Sequence, residues 1–167
     1  MKANQRNRKA FSLVEVAIAI AVAAFCLVTL VALFPTGNAE NRDSLRRTIA
    51  ASLATAVVSD LQIVTNASSS SSPIYGISVP SAGGVNSMTA PAQTLYAGID
   101  GTTNTSPTAA GVVYRISVGF SPPASASRAA TTARVLITWP AAAGGAATAW
   151  PTTYDGSFET QTAINCN

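Results

Sequence analysis

The sequence is poor in charge. Only 10% of its 167 residues are Asp, Glu, Lys or Arg, against roughly 25% in an average soluble domain. That scarcity speaks against an ordinary cytosolic enzyme and against an acidic or basic disordered tail. Histidine is absent altogether, which removes the commonest general base. The many serines therefore have no His partner to activate them. Two cysteines, Cys26 and Cys166, give no disulfide framework and no cluster with metal-ligand spacing. Gly83-Gly84 and Gly144-Gly145 lack the Lys that follows in a phosphate-binding loop, so they read as loops. No catalytic residue, metal site or cofactor is expected, and the chain does not read as an enzyme.

The charge that is present is unevenly placed. The net charge is +3, but Lys2, Arg6, Arg8 and Lys9 stand together in the first nine positions without an acid. The remainder, 11–167, has six basic and seven acidic groups, a net of −1. A basic balance confined to so short a segment gives no nucleic-acid footprint. The length suits about one domain.

After the basic segment comes a 24-residue apolar run, Phe11 to Phe34, interrupted only by Ser12, Glu15 and Thr29. As a helix it would measure about 36 Å, enough to cross a hydrocarbon core of about 30 Å. Lys and Arg before it should hold that end in the cytoplasm and place the remainder outside. Cys26 lies deep in this run and Cys166 next to the C-terminus, so a bridge between them is geometrically implausible. Cys166 is left either free or open to another chain.

Pro35 and Gly37 end the apolar run, and a helix break is expected there. A second helical pattern follows over about 39–65, with Asn38 as N-cap. Leu45, Ile49, Leu53, Val57 and Leu61 recur at every fourth position as one apolar stripe. Five serines, 68–72, then lead to Pro73 and mark a loop. Beyond them the period changes to two. Val112 to Phe120, Val135 to Trp139 and Phe158 to Ile164 read as strands, with Ile74–Val79 and Thr94–Ile99 as short candidates. Segments 80–92, 100–111, 121–132 and 140–157 read as loops. The expected fold is α+β, a long N-terminal helix packed by its amphipathic half on a small antiparallel sheet. The segments are 1–10, a basic leader; 11–34, the membrane-length helix; 35–66, its amphipathic extension; and 67–167, a β-rich head. Arg115 and Arg134 are expected to face solvent on the sheet. Trp139 is expected in the packing, and Trp150 in a loop where it is open to a neighbouring subunit.

Glu15 is the unusual residue. A carboxylate inside a bilayer-length apolar run is costly, and intramembrane acids are rare and functional. The apolar segment offers it no partner. A cut between Ala10 and Phe11 would make one, because a new α-amine is positive at neutral pH. On one helix that amine lies about 6 Å from Glu15 along the axis. Between staggered neighbouring helices the two could meet and pair.

At Arg8-Lys9-Ala10-Phe11-Ser12-Leu13-Val14-Glu15-Val16 the sequence resembles the type IV pilin and pseudopilin family, most of all its minor subunits. That family has a short basic leader, a cleavage point before Phe or Met, a T/S-L-x-E stretch and some twenty apolar residues. The resemblance implies cleavage by a prepilin peptidase before Phe11 and N-methylation of Phe11. It further implies assembly into a filament with other pilin-like subunits through an inner-membrane platform, with Glu15 registering the next subunit. The precursor would be a single-pass inner-membrane protein in contact with lipid, and the mature form part of a periplasmic or extracellular filament. Where the family usually has Gly before the cut, this chain has Ala10, small enough for cleavage to be expected. The C-terminal disulfide of many major pilins has no counterpart, since Cys166 has no partner in the head. The calcium loop of many major pseudopilins is not carried over either, because Asp155 and Glu159 stand isolated.

Three plainer readings stand beside this one. A simple anchor explains the span but not Glu15. A secretory signal cut after Ala39 would release a domain from Glu40, but its core would be too long. A membrane-anchored or secreted adhesin-like module, binding a surface through its exterior sheet, is compatible with the Ser/Thr/Ala/Gly-rich loops.

Overall fold

In a computed structural model the chain is described over residues 12–64, 71–80, 88–121 and 130–165. The leader residues Lys2, Arg6, Arg8 and Lys9, the junction Ala10–Phe11, Cys166, and parts of the 68–72, 80–92 and 121–132 loops lie outside these. The chain divides into two compact units, Met1–Arg42 and Asp43–Asn167.

One helix, α1, runs from Leu13 to Ile63. The break expected at Pro35 and Gly37 is not there: the backbone is helical through both, and Asn38 is an interior residue rather than an N-cap. Proline removes one donor from the ladder, and its ring crowds the carbonyl four residues back. With long helical stretches on either side, propagation still adds a bond per residue and the costly nucleation step is not repeated. The penalty is local and the helix continues.

The second unit is α1's C-terminal part and a sheet. Its strands are β1 (Gln93–Gly98), β2 (Thr103–Asn104), β3 (Val112–Phe120), β4 (Ala130–Trp139) and β5 (Gly156–Asn165). They are ordered β2-β1-β3-β4-β5, and every neighbouring pair is antiparallel. The three longest strands are those the alternation predicts, with β4 and β5 extending beyond the expected ends. The Thr94–Ile99 candidate is β1. The Ile74–Val79 candidate is a turn closed by a single Ser71–Ser78 bridge, since Pro73 and the left-handed Gly76 (φ 61°) break an extended run. The expected loop 100–111 contains β2, which at two residues is too short to show a period.

The helical stripe that meets the sheet is rotated from the expected one. Ala50, Leu53, Ala54, Val57 and Leu61 are buried, Ile49 is partly covered, and Leu45 is 55% exposed. Ala50 and Ala54 belong to the buried stripe, and a search for large apolar residues overlooks such small side chains. Opposite them lie Tyr114, Ile116, Val118 and Phe120 of β3 and Ala133, Val135, Ile137 and Trp139 of β4. Trp139 and Tyr114 meet edge to face, 6.1 Å between centroids.

The other face of β3 is also buried, against expectation. Arg115 is only 1% exposed. Its guanidinium donates to the carbonyls of Gly144 and Gly145 (both 3.1 Å), Ala146 (2.8 Å) and Ala149 (2.7 Å). Thr94 Oγ1 donates to Ala147 O at 2.7 Å. The 140–151 segment is thus drawn over the sheet as a third layer. The φ of +100° at Gly144 suits glycine alone, and a side chain there would strike Pro151.

Candidate functional site

The site begins at Ser12. Its carbonyl accepts the amide hydrogens of Glu15 (3.0 Å) and Val16 (3.2 Å), the first bonds of α1. Glu15 therefore sits in the first turn, where the helix dipole favours an anion. The side chain of Glu15 is exposed, and among the described residues no cation is bonded to it. Leu13 and Val14 beside it are 86% and 64% exposed.

From Leu13 to Ala32, α1 has 20 residues apolar enough to cross a membrane, none of them buried. At 1.5 Å per residue this is about 30 Å, the thickness of a bilayer's hydrocarbon core. The polar group in its later part is internally satisfied: Thr29 Oγ1 donates to Cys26 O at 2.8 Å. Cys26 is an exposed free thiol on this surface. Glu15 is thus the one ionisable carboxyl on an otherwise apolar cylinder.

The second unit offers less. A groove of about 270 Å³ is lined by Ile49, Leu53, Tyr75, Ile99, Asp100 and Gly101. That is slightly below the usual range for small-molecule sites, roughly 300–1,000 Å³. Burial and the nearby Asp60 carboxylate push the Tyr75 hydroxyl above its ordinary pKa. Asp60, itself buried, accepts the backbone N–H groups of Ile74 (3.0 Å) and Tyr75 (2.9 Å) and holds the 73–75 turn on the helix. No group of three metal-ligating side chains occurs among the described residues.

Arg134 is partly exposed, as expected, but it is not idle. It donates to both carboxylate oxygens of Glu159, at 2.8 and 2.9 Å, and lies 4.4 Å from the Trp150 ring centroid. Glu159 is therefore not isolated. Its bond to Arg134 holds its carboxyl below the usual range. Trp150, the expected loop residue, is partly buried, with its indole N–H donating to Met88 O at 2.8 Å. A side chain at Gly119 would collide with its ring.

Sequence reasoning missed Arg115 and Asp60 as structural anchors. The one available signal was a charged residue within each apolar pattern.

Residues 5–31 match the family model of the prokaryotic N-terminal methylation motif, the prepilin-type leader of type IV pilins and pseudopilins. No curated protein and no solved structure matches the chain significantly. The matched segment takes in Arg6, Arg8 and Lys9 of the leader, Ala10, Phe11 and Glu15. The motif supports a type IV pilin-like or pseudopilin subunit, a structural role rather than an enzymatic one. It implies assembly with other pilin subunits and processing by a prepilin peptidase. With the apolar helix behind it, the motif fits a membrane-anchored precursor.

Proposed function

We propose, from the prepilin-type motif the chain carries, that it is a minor subunit of a type IV pilus-like or type II secretion pseudopilus filament. The observation that carries this reading is Glu15 in the first turn of a 20-residue apolar span inside the matched motif. The precursor lies across the inner membrane with its basic leader in the cytoplasm and its head outside. Peptidase cleavage between Ala10 and Phe11 removes Lys2, Arg6, Arg8 and Lys9, and Phe11 is N-methylated. The assembly platform then draws the subunit from lipid into the filament, where the same apolar surface packs helix against helix. Glu15 pairs with the α-amine of a neighbour's Phe11, so a carboxylate costly in lipid becomes matched in the assembly. No cofactor, metal or nucleic acid takes part.

Intact mass and N-terminal sequencing of the mature protein test this reading. A start at Phe11 with one added methyl is expected. A start at Glu40 would instead indicate a secreted, adhesin-like module, and a start at Met1 a plain anchor. Glu15→Ala should leave membrane insertion intact and sharply reduce recovery of the subunit in sheared filaments. Equal recovery of variant and wild type would remove Glu15 from the assembly role.

A further inference from the structure

The two edges of the sheet are finished differently. On the β1 side, β2 pairs with Tyr96 and Ala97. Gln93 exchanges side-chain bonds with Ser78 N (3.1 Å) and Gly76 O (3.3 Å), so that edge is closed. On the other side β5 is the terminal strand, paired with β4 over ten residues without a shift in register.

The ladder shows which β5 groups face outward. Ser121 N bonds to Thr132 O, continuing the β3–β4 register. In an antiparallel sheet bonded pairs alternate, so 132, 134, 136 and 138 turn their backbone groups to β3. Residues 133, 135 and 137 turn theirs to Thr162, Thr160 and Phe158 of β5. Ser157, Glu159, Gln161 and Ala163 are left with N–H and C=O directed away from the sheet. Their side chains are exposed, and no backbone bond from them to anything beyond β4 is found among the described residues.

Among the described residues the usual devices that blunt an edge are missing. Proteins protect free edges with proline, lysine, bulges or covering loops. β5 (Gly-Ser-Phe-Glu-Thr-Gln-Thr-Ala-Ile-Asn) has no proline, lysine or bulge. Its one charge, Glu159, is already neutralised by Arg134. Phe158, Thr160 and Thr162 on the helix side are only partly covered.

We propose that the free edge of β5 is a strand-addition site, taking an extended, uncharged segment of another protein chain as a sixth strand antiparallel to β5. Donors and acceptors repeating at every second residue fit one kind of ligand, a β-strand backbone. Side-chain preference follows from the neighbours. Positions on the helix side would be apolar or threonine, extending the row of Phe158, Thr160 and Thr162, and no acid would stand opposite Glu159. This inference goes beyond the filament reading and does not depend on it.

A synthetic peptide with the sequence of residues 156–165 carrying Glu159→Gln, its termini capped, serves as the uncharged probe. Aligned antiparallel about Gln161, it sets Phe158 opposite Ile164 and Glu159 opposite Ala163, with no like charges facing. Amide exchange is followed by NMR on the full chain in detergent micelles. Saturating peptide should slow the outward amides of Ser157, Glu159, Gln161 and Ala163 about tenfold, and leave those of Phe158, Thr160 and Thr162 unchanged. A peptide carrying Gln161→Pro should have no such effect, and this control leaves the protein itself untouched. Unchanged exchange, protection without the alternation, or equal protection by the proline peptide would overturn the proposal. Failure here would not alter the mature N-terminus found by mass and sequencing, which tests the filament reading separately.

Discussion

Arg115 decides more than any other residue of the head. It stands in a β-strand pattern where an arginine ordinarily faces water, yet four carbonyls of the 144–149 loop converge on it. A planar fork of five donors can serve several acceptors at once, and an ammonium cannot. Arg115→Leu should cost about 3 kcal/mol, at the upper end for bonds to a charged group, and Arg115→Lys should recover little of it. Urea denaturation measures the loss, and faster exchange of amides 141–149 would locate it. Glu159 gives a prediction in pH. Its folded pKa is lowered by Arg134, so its contribution is present above the unfolded value, about 4.3, and disappears as pH falls through the folded one. The pair is partly exposed, with side-chain accessibilities of 29% and 39%, and is worth no more than about 1 kcal/mol. Glu159→Gln should therefore be less stable by up to that amount at pH 7, and the gap should narrow as pH falls below the unfolded value and close once pH is below the lowered folded one.

At the level of elements, α1 is the instructive case. A Pro and a Gly two residues apart are strong punctuation, and they read as the end of one helix and the start of another. The helix instead passes through them. Proline costs about 3 kcal/mol relative to alanine in a helix interior, a sum that flanking turns can absorb. Pro35→Ala should thus leave helix content by far-UV circular dichroism unchanged while slowing amide exchange just after position 35. A gain of several helical residues would mean that the segment is interrupted. The strands were easier to read. Val112–Phe120 alternates in plain view, and its bounds match those of β3. β2 owes its existence to pairing with Tyr96 and Ala97, which no local pattern announces.

For the whole molecule, the division falls between Arg42 and Asp43. Among the described residues every buried apolar side chain, from Ala50 to Ile164, belongs to the second unit, and the apolar span belongs to the first. A fragment of residues 43–167 should therefore fold alone, with a single cooperative thermal transition. A molten fragment, or one lacking a transition, would show that the N-terminal helix is needed for the core.

The prepilin-type motif at the N-terminus is legible without any structure. Leader charge, the Phe-Ser-Leu-Val-Glu start and the length of the apolar run are local, and reading them needs nothing from the rest of the chain. The sequence by itself also determined the α+β class, because hydrophobic period is a local property as well. Tertiary structure alone decided which face of the second half of α1 is buried and that the outer face of β3 is covered. It also decided that Glu159 has a partner and that β5 ends the sheet. Each of these depends on which distant segments come to lie against one another, and a pattern of polarity along the chain does not record what will cover it.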